Sequence, residues 1–176
     1  MKVYQIYQCL TSKSCYFALG RTVSETKTVN LTPYTFTRSY GALGRLKTLT
    51  YPDGEVVTYT YNGLGDVETI SSSSTVYVSN VDYNASGQIT KMAYGNGVST
   101  DYSYSPQTLR LSTLRTTGPT GTLQDFSYTF DNVGNVAQIQ DNVHTATQTF
   151  TYDDLNHLRD GKRVNQRLTG STPFLD

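Results

Sequence analysis

Hydrophobic and polar residues alternate along much of the chain with a period of two, which is typical of half-buried β-strands. In "VVTYTY" (56–61), Val57, Tyr59 and Tyr61 fall on one face, and Thr58 and Thr60 fall on the other. Later stretches place Val98, Tyr102 and Tyr104, then Phe126, Tyr128 and Phe130, then Phe150 and Tyr152 on one face, with Asp101, Ser103, Ser127, Thr129 and Thr151 opposite. No stretch of convincing length has the helical period. The pattern predicts an all-β protein with one aromatic face and one hydroxyl-bearing face.

One aromatic residue recurs at a nearly constant interval. The positions are Tyr16, Tyr40, Tyr61, Tyr83, Tyr104, Phe130 and Tyr152, separated by 24, 21, 22, 21, 26 and 22 residues. A glycine follows four residues later in five of the seven cases, at Gly20, Gly44, Gly65, Gly87 and Gly134, whereas Thr108 and Asn156 stand there in the other two. Self-similarity at a fixed period indicates a repeat protein, with a unit of about 22 residues.

The residues after each repeat aromatic are those of a β-turn. "NGLG", "NASG" and "DNVG" place Asn or Asp first and Gly last, which favours a type I turn whose glycine allows a following G1 bulge. Asn156 is the next-best residue for that left-handed position. "SPQT" (105–108) lacks the glycine but has Pro106 second, which suits the same turn. We therefore expect a turn after every repeat aromatic.

Each repeat also contains a second turn. "RLKTLTYPDGEVVTYTY" (45–61) is a strand, a tight turn at Asp53-Gly54 and a return strand, and "QITKMAYGNGVSTDYSY" (88–104) repeats this plan with Asn96-Gly97. A single hairpin is marginal in water, so the hairpins are expected to stabilise each other as an array. The sequence predicts an irregular segment at 1–15, a hairpin array at 16–160 and an irregular tail at 161–176.

This combination resembles the YD-repeat (RHS-repeat) family, most closely in "YGALGRLKTLTYPDGEVVTYTY" (40–61) and "YDDLNHL" (152–158). The resemblance implies a β-sheet strip of the kind that forms hollow shells in bacterial polymorphic toxins, insecticidal toxin complexes and teneurins. It implies a non-enzymatic scaffold, secreted or at the bacterial cell surface, that encloses a toxin domain or serves adhesion. Seven repeats are fewer than such shells use. We therefore expect an open, curved segment whose edges pair with neighbouring repeats or with a second copy.

Charge and composition limit the classes of partner that the sequence favours. Lys plus Arg and Asp plus Glu both number 14, which does not favour a nucleic-acid partner. The one basic cluster, Arg159, Lys162, Arg163 and Arg167, is typical of a solvated tail. No apolar stretch is long enough to span a membrane, and "MKVYQIYQCL" has no export signal. Cys9 and Cys15 are too few for a disulfide framework.

No residue pattern predicts a catalytic site, a metal site or a cofactor. Asp153 and Asp154 are a carboxylate pair, but Asp153 is better explained as the first residue of a turn. His144 and His157 lack the context of a catalytic triad, and "DNVGN" (131–135) lacks the length and the final Glu of a calcium loop.

The tyrosines leave one alternative function open. The chain has 15 Tyr and no Trp, and rows of aromatic rings stack on sugars as well as on one another. Packing between hairpins is the favoured interpretation. A carbohydrate-binding module that uses Tyr59, Tyr102 and Tyr128 is the alternative.

Overall fold

A computed structural model of the chain describes residues 20–165 and the backbone of residues 7–10 and 14–17. These residues form fifteen β-strands and no helix, which confirms the all-β prediction. The strands are β1 (Tyr7–Leu10), β2 (Ser14–Phe17), β3 (Thr22–Val29), β4 (Thr32–Tyr40), β5 (Leu46–Thr50), β6 (Val56–Tyr61), β7 (Val67–Ser71), β8 (Val76–Tyr83), β9 (Ile89–Tyr94), β10 (Ser99–Tyr104), β11 (Leu111–Gly118), β12 (Gly121–Phe130), β13 (Val136–Asp141), β14 (Ala146–Tyr152) and β15 (Leu158–Asn165).

The chain divides into two compact units, residues 1–81 with 94–96 and residues 82–93 with 97–176. In the first unit each strand from β1 to β8 pairs antiparallel with the next one along the chain. The second unit has the same arrangement from β9 to β15. In the described part of the chain β15 pairs with β14 only. The prediction of consecutive hairpins in an open sheet is confirmed.

The turn after each repeat aromatic has the predicted geometry in most repeats. After Tyr61, the Gly65 N–H donates to the Asn62 carbonyl at 3.0 Å, and the Asn62 N–H donates to the Asp66 carbonyl at 2.9 Å. Gly65 has φ of 99°, and the strand register shifts between Thr60 and Tyr61. These are the marks of a type I turn with a G1 bulge. Equivalent hydrogen bonds close the turns that begin at Gly41, Asn84, Asp131 and Asp153, and Asn156 adopts φ of 62° as predicted.

The turn after Tyr104 differs from the prediction. The Leu109 N–H, rather than that of Thr108, donates back to the Ser105 carbonyl, at 2.8 Å, and Leu109 has the left-handed conformation with φ of 56°. The loop is thus one residue longer than its counterparts. Pro106 supplies the second residue of a wider turn, because no glycine stands at position 108 to close the shorter one.

The ends of the array also differ from the predicted boundaries. Strand β1 (Tyr7–Leu10) lies in the segment that the sequence predicts to be irregular, and β2 begins there too. At the other end β15 continues to Asn165, past the predicted limit at 160. Residues 166–176 of the predicted tail lie outside the described residues. Both ends continue the hairpin pattern further than turn residues and alternation alone indicate.

Few side chains are deeply buried. The buried apolar residues are Val23, Val57, Val78, Val81 and Ala146. On β6, Val57 is buried and Tyr59 and Tyr61 are half-buried, while Thr60 on the other face is exposed and hydrogen-bonded to Thr69 at 2.7 Å. A similar hydroxyl pair joins Thr26 and Thr35 at 2.9 Å. Stability therefore depends on contacts between strands rather than on a thick apolar core.

Candidate functional site

Four repeat tyrosines make the same hydrogen bond. Each hydroxyl donates to the backbone carbonyl of the residue that stands six positions after the preceding repeat aromatic. The pairs are Tyr40 to Thr22 at 2.8 Å, Tyr61 to Leu46 at 2.6 Å, Tyr104 to Ile89 at 2.8 Å and Tyr152 to Val136 at 2.9 Å. Every acceptor is the first residue of its strand, and every tyrosine is the last residue of the strand paired with it. We call this hydrogen bond the closing contact, because it joins the open end of a hairpin.

The closing contact lies beyond the last pair of residues that the two strands of the hairpin form through their backbones. Between β5 and β6 the paired positions end at Thr48 and Thr58, and Leu46 and Tyr61 lie beyond that point. The strands separate there because each also enters a bulge with its other neighbour, at Thr60/Tyr61 on one side. A tyrosine is long enough to cross the gap. Its hydroxyl donates to a carbonyl that lies beyond the last paired positions of this hairpin.

A second side chain packs against the same aromatic ring. In three hairpins an arginine directly before the first strand places its guanidinium over that ring, and the pairs are Arg21 with Tyr40 at 5.2 Å, Arg45 with Tyr61 at 4.6 Å and Arg110 with Phe130 at 5.5 Å from the ring centroid. These distances are typical of cation–π contacts, which contribute about 0.5–1 kcal/mol at exposed sites. Phe130 has no hydroxyl, so its hairpin keeps this ring contact without a tyrosine hydrogen bond.

The residue before the strand also reaches the turn of the following repeat. Arg21 Nη1 donates to the Gly44 carbonyl at 3.2 Å, and Gln88 Nε2 donates to the Leu109 carbonyl at 2.7 Å. Asn135 Nδ2 donates to Asn156 Oδ1 at 2.9 Å. Gly44, Leu109 and Asn156 are the residues of positive φ in their turns. An arginine, a glutamine and an asparagine thus make the equivalent link, each from one repeat to the positive-φ residue in the turn of the next repeat.

A side chain at the turn glycine would meet the guanidinium of an arginine in the preceding repeat. A Cβ at Gly44 would lie 1.9 Å from Arg21 Nη1, and a Cβ at Gly134 would lie 2.1 Å from Arg110 Nη2. Both glycines also have positive φ, at 75° and 105°. The arginine of one repeat therefore occupies the volume that a side chain in the next turn would fill. Gly20 (φ 76°) and Gly87 (φ 75°) share the conformation, but nothing stands within 4 Å of the place that a Cβ would take there.

The two neighbouring carboxylates have different surroundings, because Asp153 belongs to a turn and Asp154 is exposed to solvent. Asp153 Oδ1 accepts hydrogen bonds from the N–H groups of Leu155 at 2.9 Å and His157 at 2.8 Å. The His157 N–H is the main cause of a lowered pKa at Asp153, and burial opposes it. Asp154 is exposed. Asp153 therefore forms the turn, as expected, and the pair does not converge on one point.

The two histidines lie at exposed turns beside carboxylates. His144 Nδ1 is 2.8 Å from Asp141 Oδ2, and His157 Nδ1 is 3.1 Å from Asp153 Oδ2. The His144 backbone N–H lowers the pKa of Asp141. Within residues 20–165 and the two short N-terminal strands, no three His, Cys, Asp or Glu side chains gather in a way that could hold a metal ion. The expectation of no catalytic or metal site stays a prediction.

The three tyrosines of the carbohydrate alternative have different surroundings. Burial raises the pKa of Tyr59, with smaller effects from Tyr51 and Tyr61, and burial also raises the pKa of Tyr128. The Tyr128 ring meets Phe126 edge to face, with centroids 6.5 Å apart. Tyr102 is half-buried. Sugar stacking by these residues stays a prediction.

Three of the four residues of the basic cluster at the C-terminal end lie on a strand rather than in an irregular tail. Arg159, Lys162 and Arg163 are exposed residues of β15. Arg167 lies outside the described residues. Among the residues that the structure describes, no helix is long and apolar enough to cross a membrane.

The sheet and its closing contacts define a repeat protein built from β-hairpins. The model of the RHS Repeat family matches residues 40–76. This match confirms the resemblance to the YD-repeat (RHS-repeat) family that the tyrosines and turns indicate.

Known proteins of similar sequence and fold are toxin complex components. Toxin subunit YenC1 of Yersinia entomophaga is 36% identical over 99 residues, covering 47% of this chain and 10% of YenC1. The crystal structure of TcdB2-TccC3 aligns with a TM-score of 0.68 at 25% identity, over 81% of this chain and 9% of that one. The Photorhabdus luminescens Tc holotoxin pore aligns with a TM-score of 0.67 at 26% identity, over 79% of this chain and 8% of that one. The chain therefore spans about a tenth of the length of these relatives.

Proposed function

We propose that this chain is a non-enzymatic scaffold, a segment of the wall of a secreted toxin complex that encloses a toxin domain. The observation that carries the proposal is the closing contact, repeated from Tyr40 to Tyr152. It joins the open ends of successive hairpins of the strip and positions no reactive group. The likeness to toxin complex components supports the same role.

Exposed apolar side chains at the turn tips support contacts with further parts of such a wall. The residue third after the repeat aromatic is largely exposed in four repeats, at Leu43, Leu64, Val133 and Leu155, and Leu64 reaches 90% exposure. Single exposed apolar residues are ordinary, but the same position recurs in repeat after repeat. In the proposed wall, neighbouring segments lie against the edges of the sheet where these turn tips stand. Each exposed apolar side chain then has a protein surface to pack against.

The last described strand supports edge pairing. Every residue of β15 (Leu158–Asn165) is exposed, including Leu158 and Val164. A strand with one partner presents free N–H and C=O groups that another strand can bind. In the proposed role, a further repeat or a second copy pairs with this edge.

A hybrid protein tests the scaffold role. The 99-residue stretch of YenC1 that matches this chain is replaced by the corresponding residues of this chain. We expect the hybrid to fold and to be digested by added protease no faster than unaltered YenC1 measured beside it. A control hybrid carries Tyr→Phe at each of the closing tyrosines Tyr40, Tyr61, Tyr104 and Tyr152 that the exchanged stretch contains, and should be digested faster. A hybrid that folds but has lost protection would contradict the wall role.

The non-enzymatic part of the proposal is tested separately. The full chain is assayed for hydrolysis of peptide, ester and glycoside substrates, with Asp153→Asn and Asp154→Asn as variants. We expect no turnover above the buffer rate for any of the three proteins. Reproducible hydrolysis that either substitution abolishes would refute this part.

A further inference from the structure

The backbone register of the first hairpin places two cysteines directly opposite each other. In the antiparallel pairing of β1 with β2, Cys9 is the partner of Cys15. The chain contains no other cysteine. Two cysteines scattered over 176 residues would seldom fall on one register pair, so their placement indicates thiol chemistry rather than chance.

The separation of opposite residues in an antiparallel pair suits a disulfide. Directly opposite Cα atoms lie about 5.5 Å apart in hydrogen-bonded pairs and about 4.5 Å apart in the pairs that alternate with them. Disulfides join Cα atoms that are about 4.4–6.8 Å apart. Either kind of pair therefore allows a bond between Cys9 and Cys15 without a shift of the backbone.

Comparison among the repeats indicates that the fold does not require a cysteine here. Cys15 stands directly before the repeat aromatic Tyr16. The residues at this position in the other six repeats are Ser39, Thr60, Asp82, Ser103, Thr129 and Thr151. Small polar side chains thus serve the repeat elsewhere, but none of them can form a covalent bond across a hairpin. The one cysteine at this position occurs in the hairpin whose facing residue is also a cysteine.

The hairpin that contains these cysteines is short. Strands β1 and β2 have four residues each and are joined by four backbone pairs, whereas six pairs join β3 to β4. Within the described part of the chain β1 pairs with β2 only. Because short hairpins are marginal in water, a covalent link between these two strands would oppose their separation.

We propose that Cys9 and Cys15 form a disulfide across this hairpin by exchange with a small-molecule disulfide such as oxidised glutathione. The thiolate of one cysteine attacks a sulfur of the oxidant and displaces one glutathione thiolate, which leaves a mixed disulfide. The thiolate of the other cysteine attacks the cysteine sulfur of that mixed disulfide and releases the second glutathione thiolate. The two protons lost by the cysteines pass through water to the two glutathione thiolates, so two cysteines are oxidised and one oxidant molecule is reduced. This site is additional to the scaffold role and does not depend on it.

Redox titration of the full chain tests the proposal. The chain is equilibrated with mixtures of reduced and oxidised glutathione, free thiols are trapped by alkylation, and mass spectrometry gives the fraction with an internal disulfide. We expect the equilibrium constant for disulfide formation in buffer to exceed that in concentrated urea by at least about tenfold, because a bond that stabilises the folded hairpin is itself favoured by folding. Oxidation should also slow amide hydrogen exchange in β1 and β2 by at least about tenfold and leave β13 and β14 of the second unit unchanged.

The matched control moves one cysteine by a single residue, with Ser14→Cys and Cys15→Ser in the same chain. Position 14 pairs with Leu10 rather than with Cys9, and a shift of one residue moves a side chain to the other face of the sheet. In urea the two chains close loops of nearly equal length and should be oxidised alike. In buffer the equilibrium constant of the variant should be no higher than in urea. Free thiols at every glutathione ratio, disulfides between molecules in place of the internal one, equal constants for the unaltered chain in buffer and in urea, or equal oxidation of the two chains in buffer would each overturn the proposal.

Discussion

The hydroxyl of Tyr61 donates a 2.6 Å hydrogen bond to the carbonyl of Leu46, the first residue of the neighbouring strand β5. The two residues lie past the last paired positions of their hairpin. A side chain thus continues the strand pairing where the backbone ladder cannot. The same relationship joins Tyr104 to Ile89 at 2.8 Å in the second unit.

Removal of one closing hydroxyl should lower stability without loss of the fold. Tyr61→Phe keeps the ring beneath Arg45 and removes the hydrogen bond to Leu46, and Phe130 already occupies this position in another repeat. We expect the free energy of unfolding to fall by about 1 kcal/mol. Urea unfolding followed by circular dichroism measures it.

The control for this prediction is Tyr34→Phe. Tyr34 is exposed on β4, and its hydroxyl makes no hydrogen bond within the described part of the chain. We expect no change in its unfolding midpoint. Equal effects of the two substitutions would show that the closing contact contributes nothing specific.

The turns and hairpins could be predicted because their causes are local. Asn62 accepts hydrogen bonds from the backbone N–H groups of Leu64 at 3.0 Å and Gly65 at 2.9 Å, and these interactions depend only on residues within one tetrapeptide. The alternation of hydrophobic and polar residues likewise indicates the side of the sheet on which each residue lies. Sequence alone therefore indicates the fold and the positions of most turns.

The contacts between repeats could not be predicted in the same way. Tyr61 and Leu46 are 15 residues apart, and their contact depends on how two bulges separate the strands. The position of Arg45 over the Tyr61 ring is a second such relation. The sequence contains one signal of this arginine contact, since "GR" at 20–21 and 44–45 places an arginine directly after the turn glycine. The wider turn at Leu109 is not predictable from its tetrapeptide, because Pro106 suits both turn lengths.

A second prediction concerns the space beside the turn glycine. Gly44→Ala should be more destabilising than Gly54→Ala. Both positions have positive φ, at 75° and 91°, so each alanine costs about 1 kcal/mol in backbone conformation. Only the Cβ at Gly44 meets another atom, Arg21 Nη1 at 1.9 Å, whereas nothing lies within 4 Å at Gly54. The additional loss should stay below about 1 kcal/mol, because the atom that must shift is the end of a flexible side chain and only its contacts with Tyr40 and the Gly44 carbonyl are disturbed.

A double-mutant cycle isolates the steric part of that loss. In an Arg21→Ala background, Gly44→Ala should cost only as much as Gly54→Ala does in the unaltered protein, because the guanidinium is gone. Unfolding free energies of the four proteins give the coupling between Arg21 and Gly44. A coupling near zero would mean that Arg21 moves aside at no cost.

A third prediction concerns acid stability. The pKa of Asp153 is lowered in the folded protein, first by the hydrogen bond from the His157 N–H. A carboxylate of lowered pKa contributes stability that is present above its unfolded pKa, near 3.8, and is lost as the pH falls through the lower folded pKa. Asp153→Asn keeps the accepting oxygen, as Asn62 and Asn84 do in their turns. We expect this variant to lose less stability than the unaltered protein between neutral pH and pH values below 3.8.

The control for the acid prediction is the neighbouring carboxylate. Asp154 is exposed and makes no hydrogen bond to another residue of the range 20–165. Asp154→Asn should therefore leave the dependence of stability on pH as it is. Urea midpoints measured across this acidic range compare the three proteins, and identical profiles for the two variants would refute a special role of Asp153.

The last prediction is that the exposed turn tips promote association of the isolated chain. Leu64 and Leu155 are 90% and 74% exposed at the third position after their repeat aromatics, where Ser86 stands in another repeat. Leu64→Ser with Leu155→Ser should therefore preserve the turns and reduce apolar contact between molecules. We expect light scattering to show a smaller average mass for the double variant at equal concentration, with an unchanged unfolding midpoint. The control is Thr60→Ser, which alters an exposed strand residue away from the tips and should not change the mass. A strictly monomeric unaltered chain over the whole concentration range would exclude association through these tips.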